Sequence, residues 1–147
     1  MKMLFYLGTL VVGLFLGLHI SMNAKVGAIV NNPRVGNAVF WCIGAVMAVI
    51  IGLTGWESGI MSRFKEVNPV LLTAGALGAS LVFYAAWAVP KIGAGPTFSI
   101  MLSGWIIFGV IASHYGWLGS PVQPIDLYKI IGVTMMVAGI GVAYFIK

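Results

Sequence analysis

The sequence predicts an all-α integral membrane protein of five transmembrane helices, and two observations carry that reading. Of its 147 residues, 61% are hydrophobic and only 7% charged, whereas a soluble domain averages about 25% charged residues. The apolar residues are also gathered into five runs, each near the roughly 20 residues that a helix needs to cross a bilayer. These runs use nearly the whole chain. A single transmembrane domain over residues 1–147 is expected, with no room for an extramembrane catalytic domain.

The helices are expected at about 3–30, 35–55, 69–89, 95–115 and 125–146. Leu4 to Leu18 has the apolar core of a signal peptide, but no small-x-small cleavage site follows in His19-Ile20-Ser21-Met22-Asn23. It is expected to be the first membrane helix. Asn31-Asn32-Pro33 ends it, because proline removes a donor and biases its predecessor away from helix. After the second helix, Trp56 to Asn68 is the one long polar connection. Trp56, Ile60, Phe64 and Val67 recur there at helical spacing, which fits a short helix in the interface plane as well as a solvated loop. Pro69 suits the first turn of the third helix, which is expected to end near Pro90-Lys91. Gly93 to Pro96 forms a turn before the fourth helix. Gly116 to Pro124 is too rich in glycine and proline for regular structure. Asp126 then opens the fifth helix, where a carboxylate suits the helix dipole.

The net charge of +5 does not point to nucleic acid, because the basic residues are scattered singly and suit helix-end anchors and topology signals. Cys42 is alone, so neither a disulfide nor a cysteine metal site is expected within the chain. No cofactor is expected. With no nucleophile triad, metal cluster or phosphate loop, an enzyme is not expected either.

Helices in lipid gain little from hydrophobicity, so small residues that permit close approach are expected to carry packing. The candidates are Gly13 and Gly17, Gly44 and Gly52, Gly75 and Gly78, and Gly95 with Ser99, Ser103 and Gly104. Tyr6, Trp56, Trp117, Tyr128 and Tyr144 fall near helix ends, as an interfacial belt requires. Two aromatic faces do not fit that belt. One holds Tyr84 and Trp87 on the third helix, the other Met101, Trp105 and Phe108 on the fourth. Both are candidate cavity walls, although core or lipid-facing packing explains any single member.

Polar groups at membrane depth are costly and are functional candidates by default. Glu57, Glu66 and Asp126 all lie outside the span interiors, so the usual carboxylate proton carrier is missing. What remains is a cluster late in the first helix, His19, Ser21, Asn23 and Lys25. His19 and Asn23 are four apart and share a face. His19 can bond or take up a proton, Asn23 can donate and accept, and Lys25 can snorkel to the interface. The plain alternative for His19 and Asn23 is interhelical hydrogen bonding.

At these residues the chain resembles the short, five-helix YdcZ-type branch of the drug/metabolite transporter superfamily. The family pattern Q-x3-N-x2-L-G reads here as His19-x3-Asn23-x2-Val26-Gly27. The likeness continues through Gly75, Gly78, Pro90-Lys91-Ile92-Gly93-Ala94, Thr97 and Gly104. It extends to His114-Tyr115-Gly116, Gly119, Pro124-Ile125, Lys129, Gly132 and Gly139. The chain departs from the family at His19 and Trp105, where glutamine is usual, and at Ser113, where an acidic residue is. The resemblance implies an inner-membrane transporter, an exporter, whose five helices are half of a ten-helix unit. Alternating access would then place a small-molecule site near the midplane between two halves. His19, Asn23, Tyr84, Trp87, Met101 and Trp105 are the expected substrate-binding residues. The alternatives are a dual-topology ion channel and a non-transporting accessory membrane protein.

Charge counting bears on the second half of such a unit. With five spans, Lys2, Arg63, Lys65 and Lys129 fall on one face, and Lys25, Arg34, Lys91 and Lys147 on the other. This balance gives the positive-inside rule nothing to act on. The expected partners are therefore the lipid bilayer, a small-molecule substrate and a second copy in an antiparallel homodimer, with a paired homologous chain as the fallback.

Overall fold

The computed structural model describes residues 2–146; Lys147, whose charge is counted above, lies outside them. Every regular element in the described residues is helical. In chain order these are α1 (Lys2–Ile29), α2 (Pro33–Thr54), α3 (Ile60–Phe64), α4 (Pro69–Leu72), α5 (Ala74–Ile92), α6 (Ala94–Tyr115) and α7 (Leu127–Phe145). Five segments are long and apolar enough to cross a membrane: α1, α2, Pro69–Ile92, α6 and α7. The chain divides into two compact units, Met1–Lys91 and Ile92–Lys147.

In the first unit the α1–α2 connection is a minimal one. Asn31 adopts the left-handed conformation with φ +50, which asparagine tolerates better than most residues. The Asn32 N–H donates to the Gly27 carbonyl at 3.1 Å and the Asn31 N–H to that of Ala28 at 3.2 Å. This is a Schellman closure, which satisfies carbonyls that a helix end leaves without partners. Asn32 then caps α2, its side-chain oxygen accepting from the Arg34 and Val35 N–H groups at 3.2 and 3.3 Å. Pro33 stands at the start of α2, where its missing N–H costs nothing.

This turn brings α1 and α2 into backbone contact. A Cβ on Gly36 would lie 2.8 Å from the Gly27 Cα and 2.9 Å from its nitrogen. A Cβ on Gly27 would meet the Pro33 Cα at 3.0 Å. Ile20, Asn23 and Gly27 form the buried stripe of α1. Several of the expected packing glycines stand open. Gly13, Gly52, Gly75, Gly78 and Gly104 have nothing within 4 Å of a Cβ, and Gly44 only the edge of Trp41 at 3.8 Å.

The third span differs from its expected bounds. It opens as the single turn α4 and is interrupted at Thr73, whose hydroxyl donates to the Val70 carbonyl at 2.7 Å. It also runs past Pro90, which lies inside α5. The proline sits so near the end that its missing donor disturbs only the last turn. Between α2 and α4, five residues form the helix α3, with Glu57 and Arg63 paired beside it.

In the second unit α6 packs on α7. A Cβ on Gly95 would lie 2.9 Å from the Tyr144 hydroxyl, so Tyr144, expected in the interfacial belt, also fills a groove on α6. The connection that composition made irregular contains one 3-10 turn, Trp117–Gly119. It folds back on the end of α6. The Gln123 N–H donates to the Ser113 carbonyl at 2.9 Å and the Ile125 N–H to His114 Nδ1 at 3.0 Å. The Asp126 carboxylate caps α7 by accepting from the Lys129 N–H at 2.8 Å.

Gly36→Ala is expected to force α1 and α2 apart, because the atoms it meets are backbone and cannot rotate away. Overpacking of this kind costs about 1–3 kcal/mol. The midpoint of SDS-induced unfolding should fall for Gly36→Ala and stay unchanged for Gly8→Ala, where a Cβ meets nothing. Equal midpoints for the two variants would refute the contact.

Candidate functional site

The polar groups of the first unit collect where α1 and α2 meet. Asn23 is 2% exposed, and its Nδ2 donates to the Asn37 Oδ1 at 2.8 Å. Asn23 lies six residues before the end of α1 and Asn37 four after the start of α2. At 1.5 Å per residue the pair sits about 6–9 Å inside its helix ends. One turn earlier on α1, the His19 ring packs edge-on against Phe40 at 4.7 Å and Trp41 at 6.4 Å. His19 Nδ1 and Trp41 Nε1 are both buried with no hydrogen-bond partner. A polar group left unpaired at membrane depth costs several kcal/mol, so each of these atoms would gain from a polar partner.

Helix α5 supplies the facing wall. Phe83, Ala86, Trp87 and Pro90 close a cavity of about 60 Å³ with Asn23, Ala24, Gly27, Ala28 and Pro33. Two larger recesses adjoin it. One of about 440 Å³ is lined by Asn31, Asn32, Pro33, Arg34, Phe83, Tyr84 and Trp87. The other, about 330 Å³, is lined by Arg34, Asn37, Ala79, Ser80 and Phe83. Because they share Arg34 and Phe83, they are neighbouring parts of one cleft. The Tyr84 and Trp87 rings lie 5.8 Å apart, and the Lys91 ammonium stands 3.9 Å over the Trp87 ring, a cation–π contact.

The expected site residues therefore distribute as follows. Asn23, Tyr84 and Trp87 border the cleft, and His19 is one turn from Asn23 on α1. Met101 and Trp105 belong to the second unit, on α6, where Trp105 is about half exposed. Sequence reasoning missed Asn37, Arg34 and Phe83. Asn37 had a signal, an amide inside an apolar span, and it is the partner that Asn23 needs. In the second unit, Ile106, Gly109, Val110, Ser113, Gln123 and Lys129 line a recess of about 260 Å³. Its cation is already engaged, since the Lys129 ammonium donates to the Pro124 carbonyl at 2.8 Å. Among the described residues no three His, Cys, Asp or Glu side chains come together as metal ligands would.

Five apolar spans and a polar, aromatic-walled cleft define a small polytopic helical membrane protein. The family described as "Putative inner membrane exporter, YdcZ" matches residues 4–142. The chain belongs to that family, a multi-pass inner-membrane one with a transporter-like role rather than an enzymatic one. No curated protein and no solved structure matches it significantly.

The Asn23–Asn37 bond is expected to appear in a double-mutant cycle. Asn23→Leu and Asn37→Leu should each destabilise, because each leaves a buried amide without its partner, at about 1–3 kcal/mol. The double variant should lose less than the sum by about 0.5–2 kcal/mol. Strict additivity in bicelle unfolding would mean that the two amides do not interact.

Proposed function

We propose that the chain is one half of an exporter for small organic molecules, working by alternating access with a second, oppositely oriented copy. The observation that carries this reading is the Asn23–Asn37 pair beside the cleft walled by Phe83, Tyr84 and Trp87. Polar groups at depth next to an aromatic wall suit binding of an amphipathic molecule better than they suit packing alone. The larger recess, about 440 Å³, falls in the usual range of small-molecule sites.

His19 is the coupling group in this reading. It lies ten residues from the end of α1 at Ile29, about 15 Å along the axis, which is near mid-membrane. The span interiors hold no carboxylate, which leaves His19 as the group at depth that a coupling proton could meet. Its ring stands edge-on to Phe40 and Trp41, and among the described residues its Nδ1 meets no hydrogen-bond partner. The antiparallel partner is supported by the balanced lysines and arginines, and by helices whose small residues stand open in the single chain.

Two measurements test this. In proteoliposomes, the compound that most stabilises the purified protein should be driven several-fold faster by a proton gradient. His19→Gln should keep downhill flux and lose the stimulation; stimulation that survives would place coupling elsewhere. For orientation, Val30→Cys and Ser62→Cys should be made singly in a Cys42→Ala background and labelled from outside intact cells. Each should react in roughly half the molecules, and labelling of one position alone would exclude dual topology.

A further inference from the structure

The cleft of the first unit has a charge character that the proposed function does not use. Arg34 borders both larger recesses, and Lys91 caps the same wall through Trp87. The chain has three acidic residues in all. Glu57 is paired with Arg63, Asp126 caps α7, and Glu66 follows in the same connection as Glu57. Among the described residues no carboxylate forms an ion pair with Arg34 or Lys91. Counting spans puts all three carboxylates in the second and fourth connections, on the membrane face opposite Arg34 and Lys91.

We infer that this cleft binds an organic anion carrying an aromatic ring, an aromatic monocarboxylate in its simplest form, with Arg34 as the counter-ion. A guanidinium presents a planar fork that matches a carboxylate, and it gains most where water is scarce. Asn37 gives its oxygen to Asn23, so its amide N–H groups remain to donate to the same ligand. The ring lies against Tyr84 and Trp87, which line the same recess as Arg34. The inference names the substrate class of the proposed exporter and rests on that reading only for the word substrate; the binding site stands without it. A phospholipid headgroup offers the same anionic chemistry without the ring, and the experiment separates the two.

The probe is phenylacetate, titrated calorimetrically into the protein in phosphatidylcholine nanodiscs. Phenylacetamide, which lacks the charge, and acetate, which lacks the ring, should each bind at least tenfold more weakly. Arg34→Gln should weaken phenylacetate at least tenfold, Arg34→Lys less so, and Trp87→Leu several-fold. Lys65→Gln, in the second connection and outside the cleft, should change nothing. Unfolding midpoints of the variants exclude a folding defect, and Arg34→Lys keeps the test alive if Arg34→Gln does not fold. The inference is overturned if phenylacetate fails to bind, if the amide binds equally, or if Arg34→Lys binds as wild type and Trp87→Leu has no effect. It is also overturned if inorganic phosphate or phosphatidylglycerol discs displace phenylacetate completely, which would mark a headgroup site. Flux in proteoliposomes separates the two readings. Binding without any transport sinks the exporter and leaves the site, whereas transport of other compounds without phenylacetate binding sinks the site and leaves the exporter.

Discussion

The seating of Gly36 against Gly27 is the contact on which the first unit depends. Lipid tails are as apolar as the side chains they meet, so two helices gain little by hiding hydrophobic surface from one another. What holds them is close approach, and two glycines make that approach as close as backbones allow. The Asn31 closure, the Asn32 cap and Pro33 bring the chain around in so few residues that this contact can form. Shift the register of α2 by one residue and Asn37 rotates about 100° away from Asn23. The hydrogen bond at depth, the position of Arg34 and the mouth of the cleft are thus consequences of one short turn.

The polar groups are sorted by how far each is satisfied. Serines and threonines within the helices bond back to their own carbonyls, as Ser21 does to Gly17 and Ser80 to Ala76, and so cost little in lipid. Asn23 and Asn37 share one hydrogen bond, which leaves the Asn37 amide N–H groups without a partner among the described residues. Lys129 is satisfied by loop carbonyls and Asp126 by a helix end. His19 Nδ1 and Trp41 Nε1 are buried without a partner, and Arg34, exposed at the start of α2, forms no ion pair among the described residues; all three lie along one α1–α2 junction. A low-dielectric surround magnifies both the cost of leaving such groups unpaired and the gain from pairing them. That is the physical reason to look for function at this junction rather than at the better-satisfied α6–α7 loop.

The spans were legible because hydrophobic length is a coarse property that a sequence displays directly. The contacts were not, and the glycines show why. Repeats such as Gly13-x3-Gly17 mark a face that can be approached, but a helix has several such faces and the sequence does not say which one a neighbour takes. The pair that packs, Gly27 and Gly36, sits astride a turn at no helical spacing. Pro90 lies two residues before the end of α5 at Ile92, where the last turn tolerates a proline, so it marks the boundary closely without forming it. Asn23 was found from its cost in lipid. Asn37 carried the same cost and was passed over, and Arg34 was read as a headgroup anchor because its place at a helix end explained it sufficiently.

A balance of lysines and arginines leaves topology undecided, yet it does not make the two membrane faces alike. Carboxylates contribute little to insertion but fully to the field that a ligand meets. By span counting, the face of the second and fourth connections carries Glu57, Glu66 and Asp126 among its cations, so its charges largely cancel. The face of the first and third connections carries Lys25, Arg34 and Lys91 with no carboxylate. In an antiparallel pair, each side of the membrane would then present one neutralised face and one purely basic face. An anion would meet an attractive mouth on either side, one from each copy. Such an arrangement concentrates anionic ligands at both entrances, so the charges do not set the direction of net movement. In the exporter proposed above, direction would then have to come from a coupled gradient.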